Sequence, residues 1–172
     1  MRHRLLVFVC AVLFCAPPAT AAEMILASVP GAAIVGRGVL SFAFWDVYTA
    51  TLAAPDGRFD PAKPFALTLD YLISIKGRAI AERSIQEMRK QGFGDEARLA
   101  DWNARMKAIF PDVHKGTILS AVYVPGKETK FFDGNREIGT IEGDDFAQRF
   151  FNIWLGEKTS EPKLRRALLG LS

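Results

Sequence analysis

Residues 36–52 read GRGVLSFAFWDVYTATL, and the rest of the chain is organised around this stretch. Two glycines two apart open it, and over a dozen residues with almost no charge follow. In extended backbone successive side chains alternate faces. One face then carries Leu40, Phe42, Phe44 and Tyr48, and the other Val39, Ala43, Trp45 and Val47. Both faces are apolar, so neither is expected to look at bulk water. Such a run is either a fully buried strand pair or a strand with core on one face and a cavity on the other. Ordinary core and an apolar ligand pocket recruit the same residue types, so both readings stand. Past Arg37, Asp46 is the one charge, directly after Phe44-Trp45. It predicts a bend or bulge that splits the stretch into two short strands.

Upstream, residues 1–22 read as an export signal. Arg2 and Arg4 form a basic start, Leu5–Ala16 is an apolar segment, and Ala19–Ala22 offers a small-residue cleavage site. The apolar segment is short of the ~20 residues a bilayer span takes. Cys15 does not suit a lipidation signal, because the bulky Phe14 precedes it. The expectation is cleavage near Ala22 and a mature protein, residues 23–172, that is periplasmic or secreted. Cleavage would leave 150 of the 172 residues, enough for one domain with its own core. Of 22 Lys and Arg, Arg2 and Arg4 would be lost, leaving 20 against 19 Asp and Glu, or +1. A near-neutral chain gives no electrostatic case for nucleic acid. Cys10 and Cys15 both lie in the signal, so the mature chain has no disulfide, thiolate metal site or cysteine nucleophile.

Downstream, residues 53–57 carry turn chemistry, and Pro61 and Pro64 keep the chain extended. Phe65–Ile75 alternates, with Phe65, Leu67, Leu69, Tyr71, Ile73 and Ile75 on one face, as a strand with one buried face does. Arg78–Gln91 reads as an amphipathic helix with Ile80, Ile85 and Met88 inward, stopped by Gly92 and Gly94. Asp95–Phe110 places Leu99, Trp102, Met106, Ile109 and Phe110 on one helical stripe, capped by Asp95 and stopped by Pro111. Thr117–Val124, Lys127–Phe132 and Arg136–Ile141 form an antiparallel meander around turns at Pro125-Gly126 and Asp133–Asn135. Asp145-x-x-Gln148 resembles a capping box ahead of the apolar face Phe146, Phe150, Ile153 and Trp154. Ser160 is expected to cap a last helix, with Pro162 in its first turn and Gly170 past its end. Partly segregated strands and helices give an α+β class.

Little catalytic chemistry is visible. His114 is the one histidine after the signal, and a metal site needs several ligands. In Asp112-Val113-His114 alternate side chains diverge, and no G-x-S-x-G nucleophile motif occurs. Gly36-Arg37-Gly38 lacks a third glycine and opens into a strand, so it is no phosphate loop. Asp144-Asp145 is better explained by a helix start than by paired catalytic carboxylates.

Several pieces together resemble the bacterial, exported branch of the chalcone isomerase-like family. They are Gly36-x-Gly38-Val39 through Phe44-x-x-Val47-Tyr48 to Leu52, Phe110-Pro111-Asp112-Val113-x-Lys115-Gly116, Phe150-Phe151-x-Ile153-Trp154-Leu155-Gly156, and Pro162-x-Leu164-Arg165-x-x-Leu168-Leu169-Gly170. The resemblance implies an open-faced β-sandwich: an antiparallel sheet with helices on one side and an apolar cleft between. Members include true isomerases, which close a chalcone to a flavanone, and non-catalytic relatives, some of which bind fatty acids. The isomerases' Arg after the second glycine corresponds here to Leu40. Their strand Thr falls on Tyr48, and their helix Tyr and Asn fall on Ile80 and near Glu87. An apolar Leu40 cannot hold a phenolate or carboxylate.

The leading expectation is a non-catalytic binder of a small apolar or amphipathic molecule such as a fatty acid. Leu40, Phe42, Phe44, Tyr48, Tyr71 and Arg83 are its candidate ligand-binding residues, with Lys76 and Arg78 as further polar groups near the cleft. No catalytic residue, metal or cofactor is assigned, no nucleic-acid partner is expected, and nothing beyond the signal is long and apolar enough for a transmembrane helix. The alternatives are an isomerase or lyase with a rewired site, and a structural protein whose helices bind a partner.

Overall fold

The computed structural model describes residues 29–171; the expected signal and its cleavage site lie outside them. Strands β1 (Ala32–Phe42), β2 (Trp45–Pro55) and β3 (Phe65–Tyr71) are followed by helices α1 (Gly77–Lys90) and α2 (Glu96–Ile109). Then come β4 (Ile118–Val124), β5 (Glu128–Asp133), β6 (Arg136–Glu142), α3 (Asp144–Leu155) and α4 (Pro162–Leu168). The six strands form one antiparallel sheet in sequence order. The α+β, open-faced architecture expected from the sequence is the one observed.

The alternating strands put Leu52, Leu67, Leu119 and Phe131 on one face of the sheet. There they meet Met88 of α1, Leu99 and Met106 of α2, Phe146 and Phe150 of α3, and Leu168 of α4 in a single core. A smaller cluster of Val29, Ala66, Val122 and Phe132 lies apart from it. Ala66 and Val122 alternate with the core residues of their own strands, so this cluster occupies the opposite face.

The opening stretch is one hairpin, not a continuous buried pair. Phe42 pairs with Trp45, Ser41 with Asp46 and Leu40 with Tyr48, so the chain reverses over Ala43-Phe44. The register shift between Leu40 and Ser41 places the expected bulge beside Asp46, at Val47. The expectation that neither face meets water is corrected. Phe42, Phe44 and Trp45 are 77%, 99% and 71% exposed at the hairpin tip. The glycines of residues 36–38 have a packing reason. A Cβ on Gly36 would fall on the Ala167 carbonyl oxygen, and one on Gly38 would lie 2.7 Å from Leu164 Cδ1. Both are absent so that α4 can lie directly on β1.

Three local expectations are also corrected. The strand from Phe65 ends at Tyr71, and Ile75 makes only an isolated bridge to Val113. α3 begins after Gly143 without a side-chain cap. Asp144 instead accepts from Tyr123 Oη and Gly126 N, both at 2.9 Å, and Asp145 pairs with Arg98. Ser160 does not cap α4, whose N-cap is Glu161, because its hydroxyl is committed to Glu87. Asp95 does cap α2, accepting from Arg98 N at 3.1 Å.

Candidate functional site

Between the helices and the hairpin end of the sheet lies a cavity of about 300 Å³. That is at the small end of the ~300–1,000 Å³ range of ligand sites. β1 and β2 give it Leu40, Phe42, Val47 and Tyr48. β3, β4 and β5 supply Leu69, Tyr71, Leu119 and Phe131 from the floor. Ile80 and Arg83 of α1, Phe110 after α2, and Phe150, Ile153 and Trp154 of α3 close the other side. The walls are therefore mostly aromatic and aliphatic. They exist because the inner stripes of α1 and α3 meet the alternating inner face of the sheet without filling the space between.

Of the six expected ligand-binding residues, Leu40, Phe42, Tyr48, Tyr71 and Arg83 converge on this cavity. Phe44 does not; it occupies the hairpin turn and points away from the wall. Lys76 and Arg78 are also outside. Lys76 Nζ pairs with Asp112 Oδ2 at 2.6 Å, and Arg78 lies 3.6 Å from Glu82. His114 sits on the surface with Nδ1 3.1 Å from Ser74 Oγ, while Asp112 accepts from Gly77 N at 3.0 Å. Asp112 and His114 therefore have different partners, Asp112 holding Lys76 and Gly77 N and His114 meeting Ser74, and all of this lies outside the cavity.

The charged groups of the cavity, Arg83, Glu87 and Glu161, gather along α1 and the segment before α4, and the phenols of Tyr48 and Tyr71 come from the sheet. Tyr48 Oη accepts from Trp154 Nε1 at 2.9 Å. Tyr48 and Tyr71 meet edge to face, with ring centroids 5.6 Å apart. Burial pushes the Tyr48 phenol well above its ordinary range, and the Trp154 hydrogen bond offsets only part of this. Burial likewise raises Tyr71, reinforced by Tyr48. Both phenols thus keep their protons at any physiological pH. Tyr71 is 2% exposed, and its hydroxyl has no side-chain hydrogen bond among the described residues. Tyr71 lines the cavity and brings a hydroxyl donor to it.

Glu87, near which the isomerases' Asn falls but which is not among the six expected ligand-binding residues, lines the same cavity at 3% exposure. Its Oε1 receives Arg83 Nη2 at 2.8 Å and Lys90 Nζ at 2.9 Å, and its Oε2 receives Ser160 Oγ at 2.7 Å. Burial alone would raise this carboxyl. The bonds from Ser160 and Lys90 and the charges of Arg83 and Lys90 outweigh it and hold the group below the usual carboxylate range. The available signal was spacing: Glu87 continues the stripe of Ile80 and Ser84, with Arg83 and Lys90 within helical reach. Among the described residues no cluster of three or more His, Cys, Asp or Glu could hold a metal. No helix there is long and apolar enough to cross a membrane.

A family model described as chalcone isomerase-like matches residues 32–170. An uncharacterised protein of Haemophilus influenzae is 28% identical over 138 residues, which is 79% of this chain and 67% of that protein. A solved structure of a fatty-acid binding protein from Arabidopsis thaliana superposes with a TM-score of 0.63 and 12% identity. The match covers 81% of this chain and 87% of the plant chain. At that identity the likeness is one of fold.

Proposed function

The chain belongs to the chalcone isomerase-like family, and we propose that it is a non-catalytic binder of a small amphipathic molecule such as a fatty acid. The observation that carries this reading is the cavity: its walls are mostly aromatic and aliphatic, with a few polar groups, Tyr48, Tyr71, Arg83 and Glu87, among them. An apolar chain would be driven in by burial of its surface, at about 25 cal/mol per Å². A carboxylate or other acceptor at its end would take the Tyr71 O–H and share Arg83 with Glu87. The plant structure with this fold is a fatty-acid binding protein, which supports the ligand class without fixing the ligand. Leu40 in the wall argues against the isomerase reading, since the position that would hold the substrate anion is apolar.

Export through residues 1–22 is part of the proposal. N-terminal sequencing of the protein from a periplasmic fraction is expected to begin near Glu23, and an intact Met1 would refute it. Ligand binding is tested by displacement of a fluorescent fatty acid, with mass spectrometry of small molecules carried through purification. Saturable displacement by unlabelled fatty acid, weakened in a Tyr71→Phe variant, is the expected result. No saturable uptake would overturn the reading.

A further inference from the structure

We infer that the hairpin tip, Phe42 to Trp45, is a membrane-docking element that seats the mouth of the cavity on the surface of a lipid bilayer. Three of its four side chains are aromatic and at least 71% exposed, in a protein whose other two tryptophans are buried. The turn is not built for stability: Ala43 adopts φ +55, a left-handed conformation that glycine or asparagine adopts at less cost. Apolar side chains stand where solvent would favour turn residues, so the tip's composition answers to something other than water.

A bilayer fits this tip better than a protein partner. An aromatic side chain offers roughly 150–250 Å². Three of them fall short of the ~800 Å² per side of an ordinary protein interface. A narrow projection of Phe and Trp is instead what the headgroup zone accommodates. Asp46, just past the tip, accepts from Ser41 Oγ at 2.6 Å through one oxygen, and its other oxygen stays hydrated at the headgroup level. The tip is also continuous with the site: Phe42 is exposed and lines the cavity at once, together with Ser41. A surface that covers the tip therefore covers the mouth, and an apolar ligand could pass between bilayer and cavity without crossing water. That consequence rests on the binding function proposed above; the docking itself does not.

Trp45 supplies the readout. The full chain after signal removal is mixed with phosphatidylcholine vesicles and with vesicles of phosphatidylethanolamine and phosphatidylglycerol. Tryptophan emission and co-sedimentation are followed. A blue shift from Trp45 and co-sedimentation that persist in 0.5 M salt are expected, because the driving force is apolar. Phe44→Asp, at a position outside the cavity wall, is expected to lower vesicle partition at least ten-fold with an unchanged melting temperature. Its uptake of soluble fluorescent fatty acid should equal the parent's. Absence of vesicle binding by the parent, or equal binding by Phe44→Asp, would overturn the inference. So would a dimer in sedimentation velocity that Phe44→Asp converts to monomer, because the tip would then cover a second copy of the chain. Vesicle docking without fatty-acid uptake would instead overturn the proposed function and leave the docking element standing.

Discussion

Glu87 sets the polar chemistry of the cavity wall. Its carboxylate is buried, and Arg83, Lys90 and Ser160 together satisfy it. Its folded-state carboxyl is held below the unfolded value, so its contribution to stability is complete above the ordinary carboxylate range, near pH 4.3. It is lost as pH falls through the lower folded value. Glu87→Gln keeps the shape and removes the charge. It is expected to lower stability by about 1–3 kcal/mol at neutral pH, the worth of hydrogen bonds to a charged group. The deficit relative to the parent should shrink as pH falls below about 4. Urea titrations of both proteins between pH 3 and 7 measure this; a deficit constant with pH would show that the charge contributes nothing. Trp154 shows the same economy, since its indole is both core and cavity wall and holds Tyr48. Trp154→Glu is expected to unfold the domain, whereas Phe42→Glu should leave the melting temperature within a few degrees and weaken fatty-acid binding. Two equal collapses in thermal melts would show that Phe42 is core.

At the scale of elements, the strands and helices were legible because their periodicity is clean. β3 alternates from Leu67 to Tyr71, and α2 has a stripe, a cap and a proline stop that all agree. The hairpin turn at Ala43-Phe44 was not legible, because no glycine, asparagine or proline marks it. Without that turn, Phe44 falls on the wrong side of the cavity. The start of α4 misled for a different reason: Ser160 has a capping residue's chemistry but spends it on Glu87, a partner 73 positions away. The contact of α4 with β1 is where sequence and packing agree most closely. A Cβ at position 36 would meet backbone, not a flexible side chain that could give way. Gly36→Ala is therefore expected to cost about 1–3 kcal/mol or more. At roughly 2–4 °C per kcal/mol for a chain of this size, that lowers the melting temperature by several degrees. A calorimetric scan in which Gly36→Ala matches the parent would show that α4 is not seated on β1.

At the scale of the whole molecule, the chalcone isomerase-like fold encloses a mostly apolar cavity, and the proposed binding function and the isomerase alternative ask different things of it. Catalysis of ring closure needs an anion held in place and charge stabilised as it shifts. On the family resemblance the wall position that would do this is Leu40, which is apolar. Binding needs only apolar surface and a donor for the ligand's polar end, and Tyr71 offers one. The two possibilities separate in a paired measurement. A ligand present at about 100 times its Kd stabilises the native state by roughly 2.7 kcal/mol. At 2–4 °C per kcal/mol this is a rise in melting temperature of roughly 5–10 °C. A long-chain fatty acid is expected to produce such a rise in the parent and a smaller one in Tyr71→Phe. A hydroxylated chalcone is expected to lose its visible absorbance no faster with the protein than with heat-denatured protein. A heat-sensitive rate well above the spontaneous one, with no fatty-acid shift, would return the protein to the isomerase reading. It would also require that some group other than residue 40 holds the substrate's anion.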